Sequence, residues 1–197
     1  APSPISALMS GVLLNVALYS ILRFKVITDG ALGVASHFTN TLFLIFGITS
    51  VFVAVFIILV SRKYKRMLAY SSIENMGLIV TGIGIGSGLA LFWVLYHTLV
   101  HALPKALLFF SAGIMHRQYH DNKSEFIHDL LKLQPLAGIG IIIGSIAIIG
   151  TPLFPLFISK FFILSALTKV SVILVGIMLV LMLVVAGSFA WYYISLI

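Results

Sequence analysis

The sequence predicts an all-α, polytopic membrane protein with about six transmembrane helices. Three observations carry that expectation. Charge is scarce, long apolar runs recur, and basic residues gather in the short segments between the runs. Of 197 residues, 61% are hydrophobic and 9% are charged, against ~25% charged in an average soluble domain. Mean hydropathy is +1.19. Lipid is the natural solvent for such a chain, which reads as one membrane domain over residues 1–197.

A spanning helix needs about 20 mostly apolar residues, and the runs fall in order along the chain. The first covers about Ile5 to Leu22, with Pro2 and Pro4 ahead of it, where proline suits a helix start. The second covers about Thr41 to Val60, the third about Met67 to Gly86, and the fourth about Leu89 to Met115. The fifth, Leu136 to Leu167, is too long for one straight crossing and holds Gly150, Thr151, Pro152 and Pro155 near its middle. Proline there removes backbone hydrogen bonds, so this helix is expected to be discontinuous. Broken backbone at membrane depth is tolerated only against protein or a wet cavity, and transporters place ion sites at such breaks. The sixth run covers about Val170 to Leu196.

The formal charge is +7. No interleaving of aromatic and basic residues suggests nucleic acid; the basic residues read as topology signals. Arg62, Lys63, Lys65 and Arg66 crowd the second connection, and Arg117, Lys123 and Lys132 lie in the fourth. The opposite side holds Arg23, Lys25 and Lys169. The positive-inside rule therefore places residues 61–66 and 116–135 on the cytoplasmic side of a cell membrane. There is no cysteine, so disulfides and cysteine-ligated iron–sulfur clusters within this sequence are excluded. The opening, APSPIS, has neither Met nor a charged signal region, as if the sequence began in mid-protein.

The candidate functional residues are ionisable groups inside the apolar runs. His97, His101 and Lys105 sit at i, i+4 and i+8 of the fourth run. That spacing puts them on one helix face, ~12 Å end to end at ~1.5 Å per residue. A charge at the bilayer centre costs at least ~2.5–3.5 kcal/mol. Three ionisable groups on one face are therefore expected to line a hydrated interior path. Histidine titrates near neutral pH, which suits a proton relay. The plainer alternative is neutral histidines bonded to backbone, with Lys105 snorkelling outward. Lys160 is the one charge between Lys132 and Lys169 and follows the broken stretch, as either a proton-exchanging lysine or a snorkelling one. Glu74, in AYSSIENMG, can tune a lysine or answer Lys65 and Arg66 at the interface. Gly82, Gly84, Gly86 and Gly88 lack the strand-and-helix setting of a dinucleotide fingerprint and suit close helix packing or a tight turn. His116, His120 and His128, with Asp121, Glu125 and Asp129, have no metal-specific spacing and read as a surface segment.

Four segments together carry a resemblance: APSPISALMSGVLLNVALY, KRMLAYSSIENMG, HTLVHALPKALLFFSAG and TPLFPLFISKFF. In this order and spacing, the chain resembles the antiporter-like subunits of respiratory complex I, membrane-bound hydrogenases and Mrp-type cation/proton antiporters. LLNVALYS and SSIENMG look most like the hydrogenase-4 component F branch. The resemblance implies a proton path through buried lysines and histidines: His97, His101 and Lys105 match its central motif, and Lys160 its lysine on the broken helix. It implies that residues 1–24 end a first repeat and about 41–197 form most of a second, so the chain corresponds to a C-terminal-half fragment. Departures accompany it. Asn15 and Ser10 stand where some members have lysine or histidine, which leaves Asn15 a tuning candidate, and Pro104 replaces a bulky apolar residue beside Lys105.

Two functional readings follow from the resemblance. One is a proton-translocating subunit, with sodium coupling left open, of a redox-driven hydrogenase or complex-I-like complex. It would work beside hydrophilic and membrane subunits that carry nickel–iron and iron–sulfur centres, and it would do no bond chemistry itself. The other is an Mrp-type Na⁺/H⁺ antiporter subunit without a redox partner. A purely structural membrane arm is the third class to test.

Overall fold

The structure is a computed structural model that describes residues 3–33, 36–119 and 130–194. Among these residues the extended regular elements are all helices, with no strand. The first crossing starts as α1 (Ser3–Leu8), passes through a π-helical turn (Met9–Leu13) and continues as α2 (Leu14–Leu32). Then come α3 (Ser36–Val60), α4 (Tyr64–Gly84) and α5 (Gly88–Tyr119). A single turn, α6 (Leu130–Leu133), precedes α7 (Pro135–Ile149) and α8 (Pro155–Leu167), and α9 (Val172–Ile194) closes the described chain.

Among the described residues, four helices are long and apolar enough to cross a membrane: Ser3–Ala31, His37–Val60, Gly88–Tyr119 and Val172–Tyr193. The shorter apolar helices Pro135–Ile149 and Pro155–Leu167 form the two halves of the expected broken crossing. The chain is thus an all-α polytopic membrane protein. The third expected crossing differs in kind. At 21 residues α4 is long enough, yet it is not among the four that qualify on length and apolarity together. Its polar side chains Ser71, Ser72, Glu74, Asn75 and Thr81 are buried in protein instead of meeting lipid.

The first crossing also runs further than the apolar run suggests, so Arg23 and Lys25 lie in helix rather than in a loop. The cause is local: Lys25 pairs with Asp29 one turn on, Thr39 of α3 donates to the same carboxylate, and Thr28 Oγ1 donates back to the Phe24 carbonyl. His120, Asp121, Lys123, Glu125, His128 and Asp129 of the fourth connection lie outside the described residues.

α5 is the central helix, touching α1, the π turn, α4, α7 and α8. α3 and α4 pack most closely. A Cβ on Gly47 would stand 2.5 Å from the Thr81 backbone nitrogen, and one on Gly77 would stand 2.9 Å from the Gly47 carbonyl oxygen. Small residues let membrane helices meet backbone to backbone in this way. Gly82 and Gly84 make similarly close approaches to Val94 and to the Leu44 backbone. Large apolar side chains such as Phe46, Val60, Leu99, Leu103, Leu136 and Trp191 point outward, as a lipid-facing surface requires.

The break between α7 and α8 has an identifiable construction. Gly150 caps α7 in the left-handed conformation (φ 84°), where an L side chain is strained. Pro155 opens α8 at its first turn, where its missing N–H costs nothing. On the other side of the site α5 runs helically through Pro104 without interruption.

Candidate functional site

The site is built from one face each of α4, α5 and α8. His97, His101 and Lys105 are fully buried, Glu74 is 1% exposed and Lys160 is 7% exposed. The helical spacing of α5 aligns the first three. The rings of His97 and His101 lie nearly parallel, 6.0 Å apart at 15°. Trp93, one turn before His97, stacks on Phe162 of α8 at 4.2 Å and 6°, which docks α8 against this part of α5.

A closed polar ring links the three helices. Lys160 Nζ lies 3.5 Å from Glu74 Oε1, an ion pair across α8 and α4 without a hydrogen bond between those atoms. Glu74 Oε2 accepts from Asn75 Nδ2 at 2.6 Å. Asn75 Oδ1 meets His97 Nε2 at 3.2 Å, and His97 Nδ1 meets Ser159 Oγ at 2.8 Å. Ser159 adjoins Lys160 in the chain, which closes the ring. The same lysine donates at 3.3 Å to the carbonyls of Ile148 and Ile149. Those are unpaired acceptors at the C-terminus of α7, where the helix dipole favours a cation. The break and the lysine are therefore one construction: interrupting the helix creates the oxygens that hold the ammonium.

Lys105 belongs to the same network by another route. Its Nζ donates to the Leu68 carbonyl at 2.7 Å and to Ser71 Oγ. The Ser71 carbonyl in turn accepts from Asn75 Nδ2 at 2.8 Å. Neither ring nitrogen of His101 has a hydrogen-bond partner among the described residues, although the side chain is fully buried. Buried polar groups are almost always paired with protein or ordered water.

Of the residues singled out in the sequence, Glu74, His97, Lys105 and Lys160 are brought into one network, and His101 stacks onto it. Glu74 faces Lys160 inside the protein, not Lys65 or Arg66 at the interface. Asn15 stands apart. Its Nδ2 donates to the Gly11 carbonyl at 2.8 Å and reaches the Thr98 carbonyl at 3.5 Å, and its Oδ1 is buried with no hydrogen-bond partner among the described residues. Ser10, on the π turn, hydrogen-bonds Ser72 of α4. Sequence reasoning missed Ser71, Asn75 and Ser159. Their signal was present: polar residues at helical spacing within apolar runs, two of them adjoining Glu74 or Lys160. Among the described residues no three His, Asp or Glu side chains stand close enough to hold a metal.

The fold and these motifs can be set beside known proteins. The family described as NADH:quinone oxidoreductase/Mrp antiporter, transmembrane, matches residues 1–187. The chain belongs to that antiporter family. Among its relatives, the hydrogenase-4 component F homolog of Methylacidiphilum infernorum is 40% identical over 167 residues, covering 84% of this chain and 34% of the relative. A Na(+)/H(+) antiporter subunit of Alkalihalophilus pseudofirmus is 33% identical over 166 residues, covering 84% of this chain and 33% of the relative. In the solved membrane-bound sulfane sulfur reductase, an archaeal respiratory membrane complex, one chain superposes with a TM-score of 0.88 at 29% identity, over all of this chain and 39% of that one. This antiporter-family chain thus spans about a third of the length of the curated relatives it matches.

Proposed function

We propose that this chain is the proton-translocating part of an antiporter-like subunit in a redox-driven, hydrogenase or complex-I-like membrane complex. One observation carries the reading: acid, base and amide groups from three helices form a buried string of polar contacts from Lys160 through Glu74, Asn75 and His97 to Ser159, with Lys105 and His101 extending it along α5. Membrane interiors do not keep such groups without use, because each is costly to bury. The mechanism is electrostatic. Charge rearranged elsewhere in the complex changes the proton affinity of Lys105. Protons relay through His101 and His97, and Lys160 takes or releases them at the helix break, with Glu74 as its counter-charge. Nickel–iron and iron–sulfur centres belong to partner subunits in this reading, and residues 61–66 and 116–135 face the cytoplasm.

Lys105→Ala is expected to abolish coupled proton pumping by the assembled complex in liposomes while leaving assembly largely intact. Lys160→Ala should cause a smaller loss. Normal pumping by an assembled Lys105→Ala complex would end this mechanism. The likeness to a Na(+)/H(+) antiporter subunit supports a second reading, an Mrp-type exchanger without redox partners. Isolating the native complex through this chain separates the two. Nickel and iron–sulfur partners favour the first; membrane subunits alone, with sodium-dependent transport, favour the second.

A further inference from the structure

The hydrogen bonds around His97 permit fewer proton arrangements than the ring alone suggests. Both amide hydrogens of Asn75 are committed, one to Glu74 Oε2 at 2.6 Å and one to the Ser71 carbonyl at 2.8 Å. Turning the amide over would set its oxygen against that carbonyl and that carboxylate. The Asn75 oxygen must therefore face His97 Nε2, where it can only accept. His97 Nε2 carries a hydrogen whether the ring is neutral or charged.

On the other side, Ser159 Oγ lies between two partners, His97 Nδ1 at 2.8 Å and the Leu156 carbonyl at 2.9 Å. A hydroxyl has one hydrogen. When His97 is neutral, Ser159 gives that hydrogen to Nδ1. When His97 is an imidazolium, Nδ1–H gives to Ser159, whose hydrogen turns onto Leu156.

We infer that Asn75 and Ser159 are positioning residues of the proton path: Asn75 locks His97 in its Nε2–H tautomer, so the ring gains and loses its second proton only at Nδ1, through the Ser159 hydroxyl. The step balances. Ser159 passes its hydrogen to Nδ1 and takes one in its place from a hydronium or an ammonium on the α8 side, which is left as water or as the neutral amine. The hydroxyl ends intact and the ring ends as the imidazolium. Transfer across Asn75 toward Glu74 is blocked, because the amide cannot accept and pass on a proton. His97 therefore takes up and returns its second proton on the α8 side, the side of the helix that carries Lys160, and a proton coming from His101 has to reach it there.

This inference rests on the reading of His97 as a proton carrier, and its test does not depend on transport. The full-length protein would be labelled with ring ¹⁵N histidine in lipid bilayers and observed by solid-state NMR. His97 signals are those lost in His97→Gln. A protonated Nε2 and a bare, hydrogen-bonded Nδ1 are expected for the neutral ring, with only Nδ1 changing on acidification. Asn75→Ala should give a mixture of tautomers. Ser159→Ala should remove the hydrogen-bond shift at Nδ1, and Ser159→Thr should restore it. A neutral ring protonated at Nδ1 in the native protein, or an Nδ1 signal indifferent to Ser159→Ala, would overturn the assignment. Pumping by Lys105→Ala, measured separately, would instead count against translocation and leave the tautomer lock standing.

Discussion

Glu74 and Lys160 stand in the protein interior with little besides each other to balance their charges. The carboxylate also has the Asn75 amide, and the ammonium has two carbonyls of α7. Removing one partner of a buried ion pair leaves the other uncompensated, typically at a cost of about 3–5 kcal/mol. Glu74→Ala should therefore destabilise the detergent-solubilised protein on that scale, read as a lowered thermal unfolding midpoint. Adding Lys160→Ala should recover most of the loss. If the double variant is no more stable than Glu74→Ala alone, the pair contributes nothing beyond its separate hydrogen bonds. At this scale the sequence was only half legible. Lys105, His97 and His101 announce themselves as ionisable groups in an apolar run. The Glu74–Lys160 pairing does not, because 86 positions separate the two residues and only the docking of α8 on α4 brings them together. Ser159 and Asn75 were hidden for another reason: serine and asparagine are common enough in membrane helices to pass as neutral filler.

Among the elements, the α3–α4 pair and the α7–α8 break do the positioning. α4 supplies Ser71, Glu74 and Asn75, so its rotation about its own axis decides whether the ring closes. That rotation is fixed by Gly47 and Gly77, where the backbones nearly touch. Gly77→Leu places a side chain where a Cβ already meets Val51 Cγ2 at 2.7 Å and the Val51 backbone nitrogen at 2.9 Å. Overpacking of this kind costs about 1–3 kcal/mol. The expected result is a less stable protein by thermal unfolding. Unchanged stability would mean that the two helices separate freely. The break was readable from Gly150, Thr151, Pro152 and Pro155, because these residues act through local backbone chemistry. The length of the first crossing was not, because hydropathy ends the run at its charges, whereas the Lys25–Asp29 pair carries the helix on and only the Thr39 contact depends on where α3 returns.

On the scale of the whole molecule, polar groups are concentrated inside and apolar side chains face out, the arrangement a lipid solvent selects. Composition alone predicted this, and with it the helix-only architecture. It did not show that one crossing, α4, is a polar helix sheltered by the others, since hydropathy records content and not direction. Sidedness is open to direct measurement, because the sequence contains no cysteine to interfere. Lys63 and Lys169 are both exposed, in connections on opposite sides by the charge reading. Lys63→Cys should react with an impermeant maleimide only from the cytoplasmic face, and Lys169→Cys only from the other. The reverse pattern would invert the assigned topology.

The alignment of His97 and Lys105 along α5 has an electrical consequence. A charge moving between them travels up to ~12 Å along a helix that crosses a hydrocarbon layer ~30 Å thick, or at most ~40% of its depth. A full crossing is worth about 2.3 kcal/mol per 100 mV, so this transfer is worth at most about 0.9 kcal/mol per 100 mV. On the proposed relay, the membrane potential therefore acts in the membrane interior, between His97 and Lys105. In the proposed relay, a change in membrane voltage therefore shifts the proton balance between His97 and Lys105 inside the protein.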